Sequence, residues 1–376
     1  MQRVLHIYRT YFPDPPGGLQ EAIRQIAFSS IPYGIENTVY ALSLRPDPMQ
    51  ISFPEAQVVR RKSWAAPASC DLGGPAALSA FSTLAREADV VHYFFPWPFA
   101  DVLRVLTHPD KPEVMTYISD VVRQKWLGKC YAPLMWKTLK AMKFIVANCP
   151  TYARTSTVLS HPALRDKVRI IPLGIEESAY PKASDDSVFE RFGIERDAPY
   201  FLFLGVLRYY KGLDFLIRAA KEVNACIVIA GSGSEEMHLK RLARELDARN
   251  IVFTGQVSNQ EKVSLLRHCL ALALPSHLRS EAYGMVLVEA AMFGRPMISC
   301  EIGTGTSFIN AHEETGLVVE PENPAALARA MNALLHESRL ATHFGAAARQ
   351  RYERIFSGAA LGKAYAELYK EAAGLA

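Results

Sequence analysis

Short apolar runs alternate with longer amphipathic stretches along the whole chain, and this alternation restricts the possible fold more than any other feature. The runs lie at residues 4–8, 37–42, 57–61, 89–94, 114–118, 144–148 and 168–172, and then at 200–205, 226–231, 251–255, 270–275, 296–300 and 316–320. Strand–helix alternation of this kind is typical of parallel sheets joined by crossover helices. The sequence therefore predicts an α/β protein.

Chain length and one polar interruption predict two domains. The chain has 376 residues, more than one domain usually holds. Residues 173–198 are polar, acidic and poorly periodic, which is typical of a linker. We therefore predict Rossmann-like domains at residues 1–172 and 199–357, with ligand at the carboxyl ends of the strands.

Composition excludes several classes of protein. Hydrophobic residues make up 49% of the chain, as in an ordinary globular protein. The net charge is +4, with the basic excess in the first half, which suggests an anionic surface or acceptor there. The six cysteines have no metal-like or paired spacing, and no run approaches a membrane span. Met1 leads almost directly into an apolar run, which leaves no room for a signal peptide. We expect a cytoplasmic protein with no nucleic-acid partner.

Two glutamates in the second half, Glu281 and Glu289, have seven residues between them. Glu289 lies in an apolar, helix-forming segment that Gly294 and Pro296 bring to an end. A carboxylate in such surroundings is costly to bury without a partner. Glu281 lies in the loop that precedes this segment.

A helix that begins near Gly284 would offer unbonded amides to a phosphate group, from Tyr283 through Gly284 and Met285 to Val286. Glu281 would then lie before the start of the helix, and Glu289 about one turn beyond it. Carboxylates on either side of a diphosphate suit a nucleotide-sugar, which has hydroxyl groups at both ends. From the residues alone, it is an equal alternative that the two glutamates have this spacing by chance and bind no ligand.

The same stretch carries a family resemblance. The Glu-x7-Glu element, followed by Gly303-Thr-Gly-Thr306, resembles glycosyltransferase family 4, whose members are retaining enzymes of the GT-B fold. The segment Phe203-Leu-Gly-Val-Leu-Arg-Tyr-Tyr-Lys-Gly212 resembles that family's phosphate-binding motif. The resemblance covers nearly the whole chain and is strongest to bacterial mannosyl- and rhamnosyltransferases of O-antigen and common-antigen assembly. It implies two Rossmann-like domains with parallel sheets that face a cleft, and residues 358–376 crossing back to the first.

The resemblance implies a donor site in the second domain. Glu281 would contact the transferred sugar, and Glu289 the ribose. Lys211 and Arg208 would hold the diphosphate. Many relatives carry an arginine where this chain has Val206, and Arg208 would take the place of that arginine here. Backbone groups near Val257 would contact the base. A GDP-sugar is favoured over a UDP-sugar, and neither a metal nor another cofactor is expected, since no Asp-x-Asp element occurs.

On the acceptor side the chain departs from the family. Gly17 and Gly18 match paired glycines that face the donor phosphates and the acceptor. The family's usual histidines are replaced by Phe94 and Ile118. Asp120 is then the best remaining acceptor-side carboxylate, with helix N-capping as the alternative. We also expect His92 to be a core residue. Three nearby aromatic residues either stack on a sugar or pack internally, namely Phe95, Trp97 and Phe99.

A basic helix should follow. Its cations, together with an apolar and aromatic flank that includes Leu139 and Met142, suggest docking on anionic lipid, or on a lipid-linked glycan, at the inner face of a membrane. A solvated charged face is the alternative. The candidate residues are Arg123, Lys125, Trp126, Lys137 and Lys140.

The sequence thus predicts a retaining glycosyltransferase that moves a hexose, mannose or rhamnose, to a lipid-linked glycan in lipopolysaccharide O-antigen synthesis. Two alternatives share the fold. One is a sugar-nucleotide epimerase. The other is a nucleotide-sugar-binding partner subunit whose catalysis is impaired.

Overall fold

The computed structural model describes residues 1–14, 17–67, 70–120 and 125–375, with the backbone alone at 125–130. The chain forms two compact units. Unit 1 comprises Met1–Gly174 and Gly358–Ala376, and unit 2 comprises Ile175–Ser357.

Unit 1 is built on a mainly parallel sheet of nine strands in the order β3-β4-β2-β1-β6-β7-β8-β9, with β5 paired to β4. Only β3 and β5 run antiparallel to β4. The strands are β1 Gln2–Ile7, β2 Ile35–Ser43, β3 Gln50–Ser52, β4 Gln57–Ala65, β5 Leu72–Gly73, β6 Val90–Phe95, β7 Glu113–Tyr117, β8 Phe144–Ala147 and β9 Val168–Ile170. The helices are α1 Gly18–Ser30, α2 Pro75–Glu87, α3 Pro98–Thr107, α4 Lys125–Ala141, α5 Pro150–Thr155 and the C-terminal helix Gly358–Ala373.

Unit 2 contains a fully parallel sheet of six strands in the order β12-β11-β10-β13-β14-β15. The strands are β10 Tyr200–Leu204, β11 Cys226–Ala230, β12 Ile251–Gly255, β13 Ala271–Leu274, β14 Met297–Cys300 and β15 Gly316–Val319. The helices are α6 Ser187–Phe192, α7 Leu213–Ala219, α8 Glu236–Glu245, α9 Asn259–His268, α10 Met285–Met292, α11 Thr306–Ile309, α12 Pro324–His336 and α13 Ser338–Arg351. The predicted strand–helix alternation is present in both units.

The segment expected to be a linker is folded instead. Most of residues 173–198 belong to unit 2. Within it, α6 buries Val188 and Phe189, and the carboxylate of Asp186 accepts a hydrogen bond from Ser264. The polar composition of this segment did not reveal that Phe189 would pack against α9, where its ring lies 5.5 Å from that of His268.

A buried hydrogen-bonded network connects the C-terminal helix to the sheet of unit 1. The His92 ring lies 2.8 Å from the Tyr369 hydroxyl through Nδ1 and 2.7 Å from Thr116 Oγ1 through Nε2. Thr116 Oγ1 also lies 2.9 Å from the Tyr365 hydroxyl. All four side chains are fully buried. The interpretation of His92 as a satisfied core residue is therefore confirmed.

Acid should destabilise unit 1 through its two buried histidines. Burial lowers the pKa of His6 to about 4 and that of His92 well below its usual value, so below about pH 6.5 the unfolded chain binds protons that the folded chain does not. Burial raises the pKa of Asp101 to about 7, so this carboxyl opposes the loss. His6→Gln should therefore reduce the fall in unfolding free energy between pH 6.5 and about pH 5 by about 2 kcal/mol, measured by denaturant titration at each pH.

The control for this measurement is His343→Gln, at an exposed position on α13 of unit 2. It should leave the pH dependence as in the wild type. The same slope in the His6 variant and the wild type would contradict the assignment.

Candidate active site

The site in unit 2 lies where two parallel strands of the sheet end. β10 and β13 are hydrogen-bonded neighbours, so the loops that follow them leave the same edge of the sheet. The loop after β10 contains the short 3-10 turn Tyr209–Lys211, and the loop after β13 contains Glu281. Topology alone therefore places Lys211 and Glu281 at one edge, although 70 positions separate them in sequence.

Lys211 and Glu281 form an ion pair. Their side chains are 12% and 11% exposed. Burial by itself would lower the pKa of Lys211, but the facing Glu281 carboxylate raises it, and the net result is a pKa above the usual value. Ser276 donates a further hydrogen bond to Glu281 Oε2 over 3.3 Å. The pair thus holds a permanently charged cation beside a carboxylate with little access to solvent.

The two loops are fixed to each other by backbone contacts. The Pro275 carbonyl oxygen would lie 2.1 Å from a Cβ on Gly212, which also has φ +69°. The amide of His277 donates to the Tyr210 carbonyl over 3.1 Å. A side chain at Gly212 would separate the loops, so glycine at the end of the Tyr-Tyr-Lys-Gly motif keeps Lys211 within reach of Glu281.

Helix α10 begins directly behind Glu281. Gly284 has φ +91°, and a Cβ there would lie 3.1 Å from Leu274 and 3.2 Å from Leu287. This turn starts the helix at Met285, and the amides of Met285 and Val286 have no intrahelical acceptor, as at any helix N-terminus. The predicted helix start is confirmed.

The Gly-Thr-Gly-Thr turn supports the Glu281 loop from behind. Thr304 donates its hydroxyl to the Glu281 carbonyl over 2.8 Å, and the Gly305 amide donates to Ala282 over 3.0 Å. A Cβ on Gly305 would lie 2.5 Å from the ring of Tyr283, which is buried. These contacts connect the turn to the loop that carries Glu281.

Glu289 has two partners that the sequence did not reveal. Lys262 on α9 lies 2.8 Å from Glu289 Oε1, and the Tyr180 hydroxyl donates to the same oxygen. The Lys262 ammonium also lies 4.6 Å from the centre of the Tyr180 ring. Because a carboxylate is costly to bury alone, the sequence predicted that Glu289 has a partner. No local pattern identifies that partner as Lys262, 27 positions earlier, or as Tyr180 in the segment expected to be a linker.

The other predicted donor residues of unit 2 lie on loops of the same sheet. Arg208 is exposed and begins the 3-10 turn that carries Lys211. Val257 is half-buried in the loop after β12, the edge strand next to β11. The structure shows no contact that assigns either residue a role.

In unit 1 the predicted residues lie on two separate loops. Gly17 precedes α1 and Gly18 is its first residue, where a Cβ would meet no atom within 4 Å. Asp120 Oδ1 accepts hydrogen bonds from Tyr117 over 3.0 Å and from Ser156 over 2.7 Å. The Asp120 amide donates to the Tyr152 hydroxyl. Hydroxyl groups thus orient the Asp120 carboxylate.

Two of the aromatic candidates for sugar stacking are core residues. Phe95 and Trp97 are each 2% exposed, and the Trp97 indole nitrogen donates to the Asp71 carbonyl over 2.9 Å. Stacking on a sugar is therefore excluded for both. Phe99 is half-buried, and Phe94 packs 4.2 Å from the His92 ring.

The basic helix α4 is only partly a surface feature. Lys137 and Lys140 are exposed, but the apolar flank proposed for lipid contact includes Leu139 and Met142, which are fully buried in unit 1. Leu139 and Met142 are core residues because α4 packs against α3 and the segment 162–167. Arg123 and the side chains of Lys125 and Trp126 lie outside the described residues.

Within the described ranges, no helix is both long and apolar enough to cross a membrane. The same ranges contain no group of three His, Cys, Asp or Glu side chains arranged to hold a metal ion.

Solved structures with the same architecture define the class of protein. Sucrose-phosphate synthase from Thermosynechococcus elongatus matches with a TM-score of 0.81 and 19% identity over 100% of both chains. Anabaena HepE in complex with UDP-glucose matches with a TM-score of 0.78 and 15% identity over 99% of this chain and 100% of that one. The fold is therefore GT-B, with two Rossmann-like domains, as the sequence predicted.

Sequence comparisons add the family. Residues 184–351 match the model of the family "Glycosyl transferases group 1". D-rhamnosyltransferase WbpZ of Pseudomonas aeruginosa is 43% identical over 94% of this chain and 92% of its own length. O-antigen chain mannosyltransferase C of Escherichia coli is 37% identical over 98% of both. The chain belongs to this family of glycosyltransferases and is a hexosyltransferase.

Proposed function

We propose that this enzyme is a retaining glycosyltransferase of family 4. It would transfer mannose or rhamnose from a GDP-sugar to a lipid-linked glycan in O-antigen assembly. The activities of the two relatives, a D-rhamnosyltransferase and an O-antigen chain mannosyltransferase, support the choice of sugar and pathway. The observation that carries the site assignment is the Lys211–Glu281 ion pair beside the start of α10.

In the proposed donor site, the cation and the carboxylate of this ion pair bind different parts of the donor. Lys211 and the first amides of α10 would bind the diphosphate, whose negative charge grows as the sugar departs. Glu281 would accept hydrogen bonds from hydroxyl groups of the transferred sugar. Arg208, exposed on the same loop as Lys211, would add a second cation. These positive groups supply the charge that a metal ion supplies in other transferases, so the proposal requires no metal.

Glu289 would bind the ribose of the nucleotide. Its Oε1 is already occupied by Lys262 and Tyr180, which orient the carboxylate and leave Oε2 for a ribose hydroxyl. The base would then lie near Val257, where backbone groups contact it.

The transfer would proceed on one face of the sugar. The bond between the anomeric carbon and the leaving phosphate oxygen breaks, the acceptor hydroxyl oxygen bonds to that carbon, and its proton passes to the departing diphosphate. Such a step needs positioning and charge stabilisation rather than a protein base, which fits Phe94 and Ile118 at the family's histidine positions. Gly17, Gly18 and Asp120 would lie on the acceptor side, and exposed Lys137 and Lys140 would favour contact with an anionic inner-membrane surface.

Thermal stabilisation by nucleotides tests the donor assignment. GDP-mannose or GDP-rhamnose at about 100 times its Kd should stabilise the fold by about 2.7 kcal/mol and raise Tm measurably. UDP-sugars at the same concentration should raise Tm less. Glu289→Gln should reduce the shift given by GDP, while Glu313→Gln, an exposed glutamate of unit 2, should not.

Product analysis in EDTA completes the test. Transfer to a lipid-linked acceptor with retained anomeric configuration supports the proposal. A larger shift with UDP-sugars would overturn the choice of GDP. Modified sugar released without acceptor would indicate an epimerase, and binding without product would indicate an impaired partner subunit.

A further inference from the structure

Trp64 is the most exposed aromatic side chain among the described residues. It is 68% exposed near the end of β4. Leaving an indole in water is unfavourable, and exposed Trp is enriched where proteins bind ligands or partners. The other described tryptophans differ, since Trp97 is buried and Trp136 packs 4.7 Å from the His161 ring.

The Trp64 indole is held in place by backbone. A Cβ on Gly74 would lie 1.8 Å from Trp64 Cζ2 and 2.2 Å from Cη2, so the ring rests directly on the Gly74 main chain. The neighbouring Gly73 pairs with Ser63 across β5 and β4. A ring fixed in this way loses little conformational freedom when a ligand stacks on it.

Hydrogen-bond donors and acceptors both lie near the end of β4. Ser63 donates to Asp71 Oδ1 over 3.0 Å, and Arg9 Nη1 lies 3.6 Å from Asp71 Oδ2. Lys62 donates to the Leu44 carbonyl over 2.8 Å. An anionic membrane favours cations alone, whereas a neutral polyhydroxyl ligand uses donors and acceptors together. This mixture fits a glycan better than a lipid surface.

Trp64 also lies at the edge of the sheet where a ligand is expected to bind. β1, β2 and β4 are parallel, so Arg9, Ser43 and Trp64 lie at their carboxyl ends, where open α/β sheets bind ligands. Trp64 lies two strands from β1, about 10 Å away. The loop after β1 carries Gly17 and Gly18, so an occupant that reaches both places must be longer than one sugar.

We propose that Trp64 is a stacking platform for an internal sugar of the acceptor glycan, an inference that rests on the proposed transferase function. The ring face is electron-rich and the C–H groups on one face of a hexose are weakly positive, so the two attract each other. Lys62, exposed two positions before Trp64, and the Leu44 carbonyl that it contacts offer a donor and an acceptor to sugar hydroxyls. Trp64 positions the acceptor and takes no part in the chemical step.

The test compares Trp64→Ala, Trp64→Phe and the control Leu106→Ala, which removes another apolar side chain that is 61% exposed on unit 1. Trp64→Ala should raise KM for a soluble mannose or rhamnose tetrasaccharide acceptor about tenfold. It should leave the KM for the donor, the hydrolysis of donor without acceptor and the KM for a monosaccharide acceptor unchanged. Trp64→Phe should recover most of the lost affinity, and Leu106→Ala should match the wild type.

A binding measurement separates this inference from the proposed function. Tryptophan emission of the wild type should change on titration with the same tetrasaccharides, and Trp64→Phe should not show the change. If the wild type transfers no sugar but its emission still responds, the proposed function fails and the platform stands. An acceptor KM within twofold of wild type in Trp64→Ala overturns the platform. The platform is also overturned if Trp64→Ala sediments less with glycan-free vesicles of anionic phospholipid while its acceptor KM is unchanged. The ligand of Trp64 would then be lipid.

Discussion

Lys211→Ala should lower kcat by about 100- to 1000-fold, the usual effect of removing one group that stabilises charge in the transition state. The Lys211 ammonium is nearly buried and paired with Glu281, so its full charge acts at short range with little screening by water. That charge matters most when the diphosphate leaves. KM for the donor should change much less than kcat, in steady-state assays with saturating acceptor.

Two control variants distinguish this effect from a general loss of structure. Lys262→Ala removes the lysine of the second buried pair, so it should raise the donor KM through Glu289 and leave kcat nearly unchanged. Lys240→Ala removes a more exposed lysine that pairs with Glu236 on α8, and should behave as wild type. If Lys211→Ala keeps a kcat within tenfold of wild type while the fold is intact, Lys211 does not stabilise the leaving group.

The part of the site that the sequence predicted is the part with a local signal. Gly284 lies three positions after Glu281 and directly before an apolar, helix-forming run, and glycine is among the residues accepted at a helix N-cap. Apolar periodicity likewise gave the main strands of both sheets. The Lys211–Glu281 contact depends on the pairing of β10 with β13. The family resemblance assigned both residues to one donor site, whereas composition and apolar periodicity did not.

The missed features depend on packing between distant segments. Lys262 and Tyr180 reach Glu289 from α9 and from the segment that resembles a linker, and no spacing rule connects them. The exposure of Trp97 and Trp64 could not be predicted from sequence either. Both lie in aromatic or charged stretches near strand ends, so their local sequences do not distinguish them. One is buried by α3 and the loop at Asp71, and the other is exposed on Gly74. Exposure of a side chain is decided by what packs over it.

The C-terminal helix offers the strongest test of stability. Gly362 lies where this helix touches α1, and a Cβ there would be 1.8 Å from the Ser29 carbonyl oxygen and 3.0 Å from the Tyr33 ring. Backbone cannot yield as a flexible side chain does, so Gly362→Val must push the helix away from α1. That shift would also strain the Tyr365 and Tyr369 hydrogen bonds to the sheet.

Gly362→Val should therefore lower the unfolding free energy by about 3 kcal/mol or more, at the upper end for an overpacked core position. The matched control is Lys363→Val, which places the same β-branched residue at the adjacent, exposed position of the same helix. Its cost should stay below about 1 kcal/mol, the helix-propensity penalty of valine. Denaturant titration of both variants measures the difference. Equal stability of the two variants would mean that the C-terminal helix does not depend on close approach to α1, because Gly362 lies against the Ser29 carbonyl whereas Lys363 is exposed.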